Sequence, residues 1–476
     1  MESKQIAPSA SDIAAHVIRG ELRAEDQAVR ALESYRAQRD LNAVTWIDED
    51  GVLEAARAID RRRERGEALG VLAGVPVIIK DNIDVAGMPT AAATPALRGN
   101  VAQHDATVVQ RLRECDAVIF GKANMHELAL GCTSSNLATG IVRNPYDRSR
   151  IPGGSSGGTA AAIAAGIVPA GLGTDTAGSV RIPSALCGIA GLRPATVGDT
   201  RYHAQSGVPL AIALDAVGPM ARTVTDVALV HRALMGAPDV RIPSLQRTRL
   251  GVPRRFYWTN LEPDVARVAE DALSRLRGAG AELVDVEVGD YYRLASEAYT
   301  SYILHGLDAD LRDYLERRGL SFDEALRQIA SADVKAMFQR AASAGVSHAQ
   351  VVKAREVVLG KVLPVYFELF RTNGIAALVF PTVPVAAPLI HEQGDRLDDV
   401  IEIEGKPGNA VLTLIRNTHV TAAMGAPGLS VPAGLVSPGL PVGLELDGLP
   451  GHDVPLLAVG MAVERALGVL PPPPSL

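Results

Sequence analysis

Three stretches of this chain place reactive side chains beside residues that could tune them. In the first, Pro76-Val77-Ile78-Ile79 runs into Lys80, with Asp81 and Asn82 behind it. A lysine at the end of an apolar strand is unusual, because this side chain is almost never fully buried. The residues alone leave two readings open. The amine snorkels out to water, or it is held dry, gives up its proton and becomes a base. The second stretch is Gly153-Gly154-Ser155-Ser156-Gly157-Gly158. The third is Gly173-Thr174-Asp175-Thr176-Ala177-Gly178-Ser179-Val180-Arg181-Ile182-Pro183. Alone, either Ser/Gly loop is ordinary turn chemistry. A dry amine with two serine loops is more specific.

Other chemistries fit less well. Gly154 to Gly158 formally reads GxSxG with Ser156 as nucleophile, but that motif needs a strand immediately before it. Asn144 to Pro152 (NPYDRSRIP) cannot be a central strand. The same Gly-rich loop before a helix could bind phosphate, yet it lacks the GK[ST] ending of a P-loop, and no GxGxxG follows a predicted strand. None of the ten histidines sits in a metal-binding pattern, so no metal and no cofactor is expected. Cys115, Cys132 and Cys187 are odd in number and far apart, which fits reduced thiols in a cytoplasmic protein.

The elements that must hold these loops follow from periodicity. Asp12 to Arg36 and Glu54 to Arg65 read as amphipathic surface helices. Gly74 to Ile79 is a buried strand, Ala106 to Cys115 a helix and Ala117 to Phe120 the next strand, so the class is α/β with a mixed internal sheet. Thr159 to Ala165 (TAAAIAA) is a helix of small residues opened by the second loop. Gly251 to Val288 reads as strand, helix (Pro263 to Gly278), strand. Tyr291 to Phe370 reads as a helical insertion or lid. Ala376 to Phe380 and two pieces within Gly428 to Leu446 are strands, and Ala458 to Leu467 is a closing helix. Pro471 to Leu476 is a stiff, exposed end. One domain over residues 1–476 is expected: N-terminal helices in 1–65, a core in 66–250, the insertion in 290–370 and core completion in 371–476.

Composition agrees with an ordinary globular chain: 476 residues, 47% apolar and 21% charged. The formal net charge of −7 gives no basic excess for a nucleic-acid partner. Met1 to Gly20 has no continuous apolar core of a signal peptide. Thr159 to Gly173, the longest apolar stretch, is too short to cross a bilayer, so no membrane partner is expected.

The three loops, with GKANMHEL (Gly121 to Leu128), PGGSSGGTAAAIAAG (Pro152 to Gly166), DAVGPMARTVTDVAL (Asp215 to Leu229) and GLPVGLEL (Gly439 to Leu446), resemble the amidase signature family over most of the chain. The resemblance implies an α/β/α fold and a Ser-Ser-Lys triad: Ser179 as nucleophile, Ser155 as the bridging serine and Lys80 as base. It also implies a cis Gly154–Ser155 peptide and allows a homodimer. For this chemistry Lys80 must be neutral. Its pKa of about 10.4 must then fall by roughly three units, about 4 kcal/mol, which burial among Val75, Val77, Ile78 and Ile79 can supply. Asp81 would oppose this if close, but adjacent strand residues face opposite ways. The oxyanion hole is expected from the N–H groups of Thr176, Ala177, Gly178 and Ser179. Ala177 stands where the family commonly has Gly, so its φ must be negative. Asp175 and Arg181 are expected to hold the loop, and Ser156 to be a hydrogen-bond partner.

The same resemblance looks closest to hydrolases of aryl-acetamides such as indoleacetamide and mandelamide. The substrate expected is a small amide. Gly131 and Thr133, in the loop Gly131 to Asn136, are pocket candidates. Phe256, Tyr257 and Trp258 form the densest aromatic cluster, which either walls the pocket or packs beside a strand end. Tyr302 and His305 are further candidates from the insertion. Carbamates, anilides, biuret-like ureas and esters would suit the same triad. The remaining readings are a silent scaffold and a tRNA-dependent amidotransferase subunit.

Overall fold

The computed structural model describes residues 8–196 and 207–474. Residues 1–7 of the N-terminal stretch, 197–206 of the core stretch and the last two of the proline-rich tail lie outside the described residues.

The strands form where branched apolar runs meet glycine or polar turns. They are β1 (Val44–Trp46), β2 (Pro76–Lys80), β3 (Val118–Ala123), β4 (Ala170–Asp175), β5 (Ala190–Arg193), β6 (Ala216–Ala221) and β7 (Arg249–Val252). Next come β8 (Glu282–Asp285), β9 (Ala377–Pro381), β10 (Val400–Ile403), β11 (Lys406–Asn409), β12 (Gly428–Val436) and β13 (Leu440–Asp447). Among the described residues eleven make one sheet, ordered β1-β3-β2-β4-β6-β5-β12-β13-β9-β7-β8, and β10 pairs with β11 apart from it. The sheet is mixed. β2 runs parallel to β3 and β4, β4 is antiparallel to β6, β12 is antiparallel to β13, and β7 is parallel to β8 and β9. Helices flank it, as the α/β class requires. Every residue of β2, β3, β4 and β6 is buried. That is why these strands read as mainly small or apolar runs rather than alternating ones, with Lys80, Lys122, Thr174 and Asp175 as the polar exceptions near their C-terminal ends.

The helices differ from expectation at their ends. Asp12 to Arg36 is two helices, Ala10–Ile18 and Ala24–Ala37, because Gly20 takes a φ of +73° and turns the chain. The next helix begins at Glu49, ahead of the expected Glu54, where the Asp48 side chain accepts the Gly51 N–H. Between β7 and β8 the helix Pro263–Gly278 has the bounds its periodicity predicts. The closing helix starts earlier than expected, at Asp453. Tyr291 to Phe370 is helical as read: Tyr291–Glu316, Phe322–Gln328, Ala332–Ala344, His348–Val357 and Leu363–Asn373.

The helix Gly157–Ala164 is buried along its whole length. Small residues let it lie directly on the backbone of its neighbours. A Cβ on Gly158 would stand 2.2 Å from the Asn124 carbonyl oxygen and 2.6 Å from that of Ala43. Helix propensity alone would make Gly158→Ala stabilising by about 1 kcal/mol. We expect the opposite sign, a loss of about 1–3 kcal/mol from overpacking. Chemical denaturation followed by circular dichroism measures it, and a more stable variant would contradict this packing.

Candidate active site

β2 ends at Lys80 and β4 ends at Asp175, side by side in the parallel part of the sheet. Their shared end receives both serine loops. Lys80 is fully buried. Its Nζ lies 2.7 Å from Ser155 Oγ, 2.7 Å from Thr174 Oγ1 and 3.3 Å from the Thr174 carbonyl oxygen. Burial pulls its pKa down to about 7, against the charges of Asp175 and Asp215. Asp81, on the other face, accepts the Ala93 N–H at 2.8 Å and lies 3.7 Å from Lys122 Nζ. The Gly154–Ser155 peptide is cis. Ser156 N–H donates to the Ser179 carbonyl at 3.2 Å, which ties the two loops together. Ser179 is 7% exposed, and its hydroxyl makes no hydrogen bond to Ser155 among the described residues.

A buried charge cluster anchors the loop that carries Ser179. Arg181 grips Asp175 with two bonds of 3.0 Å and donates to Glu445 Oε1 at 2.8 Å and to the Thr418 carbonyl at 3.0 Å. Arg193 reaches Asp175 Oδ1 at 3.3 Å. Burial alone would push the pKa of Asp175 up, but the two guanidinium charges hold its carboxyl below the usual range. Asp175 in turn accepts the N–H of Gly178 at 2.9 Å and of Val180 at 3.2 Å. The four-donor oxyanion set drawn from the sequence is therefore corrected: the Gly178 N–H is already engaged. The N–H groups of Thr176, Ala177 and Ser179 have no partner among the described residues. Ala177 avoids positive φ, and Gly178 takes +138°. A Cβ on Gly178 would stand 2.3 Å from Thr418 Oγ1.

The sequence profile of the amidase family matches residues 29–457. The chain belongs to the amidase family. It is an amide-hydrolysing enzyme. This amidase is 36% identical to the indoleacetamide hydrolase of Agrobacterium vitis, covering 90% of the chain and 91% of the relative. It is 35% identical to the mandelamide hydrolase of Pseudomonas putida, covering 91% and 86%. A glutamyl-tRNA(Gln) amidotransferase subunit of Symbiobacterium thermophilum is 36% identical, covering 94% of each. A crystal structure of an amidase superposes with a TM-score of 0.83 at 30% identity, covering 97% of this chain and 100% of that one. Among the described residues no helix of this amidase is long and apolar enough to cross a membrane.

Other candidates fall where packing puts them. Ser156 is wholly buried, and its Oγ exchanges hydrogen bonds with the Thr174 carbonyl and N–H at 3.2 and 3.3 Å. The loop of Gly131 and Thr133 lies against Gly154: a Cβ there would meet Thr133 N at 2.8 Å. Thr133 Oγ1 bonds to Asp395 and lies 3.2 Å from His126 Nδ1. His126 Nδ1 also accepts the Ser134 N–H at 3.2 Å, so its proton sits on Nε2, aimed at Asp333 3.0 Å away, and offers no lone pair to a cation. An apolar cluster adjoins the loop that carries Ser179. It joins Ala177 to Cys132, Ile182, Val383, Leu414 and Ile415, with Tyr299 packed against it. Cys132 is no nucleophile, since burial drives its thiol to about 12.

Phe256, Tyr257 and Trp258 do not belong to that cluster. Phe256 stacks on Tyr292 at 4.7 Å, Tyr257 packs on Phe380 at 4.1 Å, and Trp258 Nε1 donates to the Val379 carbonyl at 3.3 Å. Their faces are spent in the seam between β9 and the helix Tyr291–Glu316. Tyr302 and His305 are likewise corrected. Tyr302 lies in the core of the helical region, and His305 Nδ1 pairs with the Val346 carbonyl at 2.8 Å. The residue of that helix that reaches the site is Tyr299, three positions earlier. The spacing of three places it on the same face as Tyr302, one turn nearer the loop.

Burying this amine has a stability signature. Between about pH 7 and 10.5 the unfolded chain carries a proton on Lys80 that the folded chain lacks. Stability therefore rises with pH across that window, and the burden of burial vanishes above it. Lys80→Met should stabilise the fold near pH 7 by roughly 2–4 kcal/mol, after the loss of its hydrogen bonds. The gain should shrink towards zero by about pH 10.5. Denaturation at a series of pH values checks the trend, and a pH-independent difference would contradict it.

Proposed function

We propose that this amidase cleaves the C–N bond of a small aryl or otherwise hydrophobic carboxylic amide through an acyl-Ser179 intermediate. The observation that carries the reading is Lys80: sealed from water, bonded to Ser155 Oγ at 2.7 Å, and held near neutrality with a pKa of about 7.

A neutral amine has two hydrogens and one lone pair. The hydrogens reach Thr174 Oγ1 and the Thr174 carbonyl, and the lone pair takes the hydroxyl proton of Ser155. Ser155 then takes the proton of Ser179 as the Ser179 hydroxyl turns towards it under bound substrate. Ser179 Oγ attacks the carbonyl carbon. The N–H groups of Thr176, Ala177 and Ser179 donate to the oxyanion. Collapse breaks the C–N bond, and Ser155 hands the leaving amine its proton while Lys80 returns one to Ser155. Water attacks the acyl-enzyme by the same relay and releases the acid. An ester would form the same acyl-enzyme.

The apolar cluster beside Ala177 supports a hydrophobic acyl group, as do the named substrates of the indoleacetamide and mandelamide hydrolases. The amidotransferase relative favours a second reading, release of ammonia from glutamine for a partner. A kcat/KM panel of phenylacetamide, indole-3-acetamide, mandelamide, aliphatic amides, an anilide, a carbamate and glutamine separates them. We expect the aryl-acetamides to lead. Glutamine in the lead would select the second reading.

Ser179→Ala should abolish turnover of the best substrate without unfolding the protein. Lys80→Ala should lower kcat by about 10³-fold or more. In the unaltered enzyme kcat should rise with pH through about 7 and level off, as the amine loses its proton. Near-normal turnover by Lys80→Ala at pH 7 would overturn the mechanism.

A further inference from the structure

Asp215 stands immediately before β6, next to the end of β4. Its Oδ1 accepts the Thr176 hydroxyl at 2.6 Å, and its Oδ2 accepts the N–H groups of Leu210 and Ala211 at 2.9 and 3.1 Å. The same segment is held from the other side. Ile212 N–H donates to Asp310 Oδ2 at 2.7 Å, and Ala211 packs against Gly306, both from the helix Tyr291–Glu316. Asp215 is thus the polar link between the helical region and the first residue of the oxyanion loop.

Its charge has a second consequence. The groups that face it are Lys80 from β2, Arg193 from β5, and Asp310 and Tyr299 from the long helix. Two carboxylates oppose the neutralisation of Lys80, and they differ. Asp175 is paired with both Arg181 and Arg193. Asp215 forms no ion pair among the described residues. Arg193 spends its guanidinium on Asp175 and on the Leu214 carbonyl, 2.7 Å away. Of the two carboxylates that act on the buried amine, Asp215 is therefore the one without an ion pair among the described residues.

We propose that Asp215 is a positioning residue with two actions: it fixes Thr176 at the head of the oxyanion loop, and its charge raises the pH at which Lys80 becomes a base. This rests on the triad reading above. Burial raises the Asp215 carboxyl to about 6, just below Lys80 at about 7, so the two groups titrate as neighbours. As Asp215 ionises it strengthens the hold of Lys80 on its proton. Without that carboxylate the amine turns neutral at lower pH.

The test is the pH dependence, from 5 to 9, of the rate at which a fluorophosphonate labels Ser179 in the full-length protein. Asp215→Asn should move the acid limb down by roughly one unit. Thr176→Val, which removes the contact but not the charge, should slow the plateau by about tenfold to hundredfold and leave the limb in place. Asp215→Glu, which keeps the charge but displaces it, should lower the plateau and hold the limb, and it stands in if Asp215→Asn does not fold. A folded Asp215→Asn with an unmoved limb overturns the proposal. So does a limb that falls as far in Thr176→Val or Asp215→Glu. An unaltered protein without an acid limb would instead overturn the triad reading itself.

Discussion

A primary amine sealed inside a β-sheet is the constraint that the surrounding structure accommodates. Holding Lys80 neutral near pH 7 costs roughly 5 kcal/mol relative to a solvated lysine. β2 makes this feasible because every one of its residues is buried and its partners on both sides are buried too. Ser155 and Thr174 then offer hydroxyls and one carbonyl rather than a carboxylate, so no full counter-charge touches the amine. Lys122 on the neighbouring strand shows the alternative. It is equally buried, but Asp81 lies 3.7 Å from its Nζ, and the Pro89 carbonyl accepts from it at 2.6 Å. The two lysines, on facing strands of one sheet, differ in their counter-charge. Burial lowers the pKa of both amines, but Asp81 opposes it at Lys122 from close range, whereas no carboxylate touches Lys80.

The charges that this end of the sheet does need are set back behind the loop. Arg181 and Arg193 face Asp175, with Glu445 and Asp447 behind them on β13. Burial drives the pKa values of Glu445 and Asp447 up, and Thr421 bonds to Asp447, so two cations meet three carboxyls without full ionisation. Breaking a buried pair of this kind by removing one partner typically costs 3–5 kcal/mol. The loop that presents Ser179 is therefore tied down on its inner side, while the N–H groups of Thr176, Ala177 and Ser179 have no partner among the described residues. That arrangement suits a site whose donors must be in place before charge develops on substrate.

Much of this was legible in the sequence, for physical reasons. β2, β3 and β9 could be read because strands buried on both faces are predominantly apolar, even where β2 and β3 each carry one lysine. The three loops stood out only together, and the roles expected of Lys80, Ser155 and Ser179 came from the resemblance to the amidase signature family. Other features depend on distance across the fold and leave no local signal. The engagement of the Gly178 N–H follows from where the Asp175 carboxylate turns, not from residue type. Tyr299 was missed because one helical turn separates it from Tyr302, and periodicity alone does not say which turn meets the loop. Phe256 to Trp258 drew attention as aromatics, yet Tyr292 and Phe380, far along the chain, supply the faces they pack against. Gly20 divided a continuous apolar stripe into two helices, a break that a single glycine signals only weakly.

The most direct measurement is the titration of the Lys80 amine itself. The chain has seven lysines. Labelling them with ¹³C at Cε and subtracting the spectrum of Lys80→Met isolates one signal in a resting protein without substrate. A midpoint near 7 is the result this account predicts. A midpoint near 10.5, the value of a solvated lysine, would mean that the amine enters the site charged, and the account would be wrong at its base.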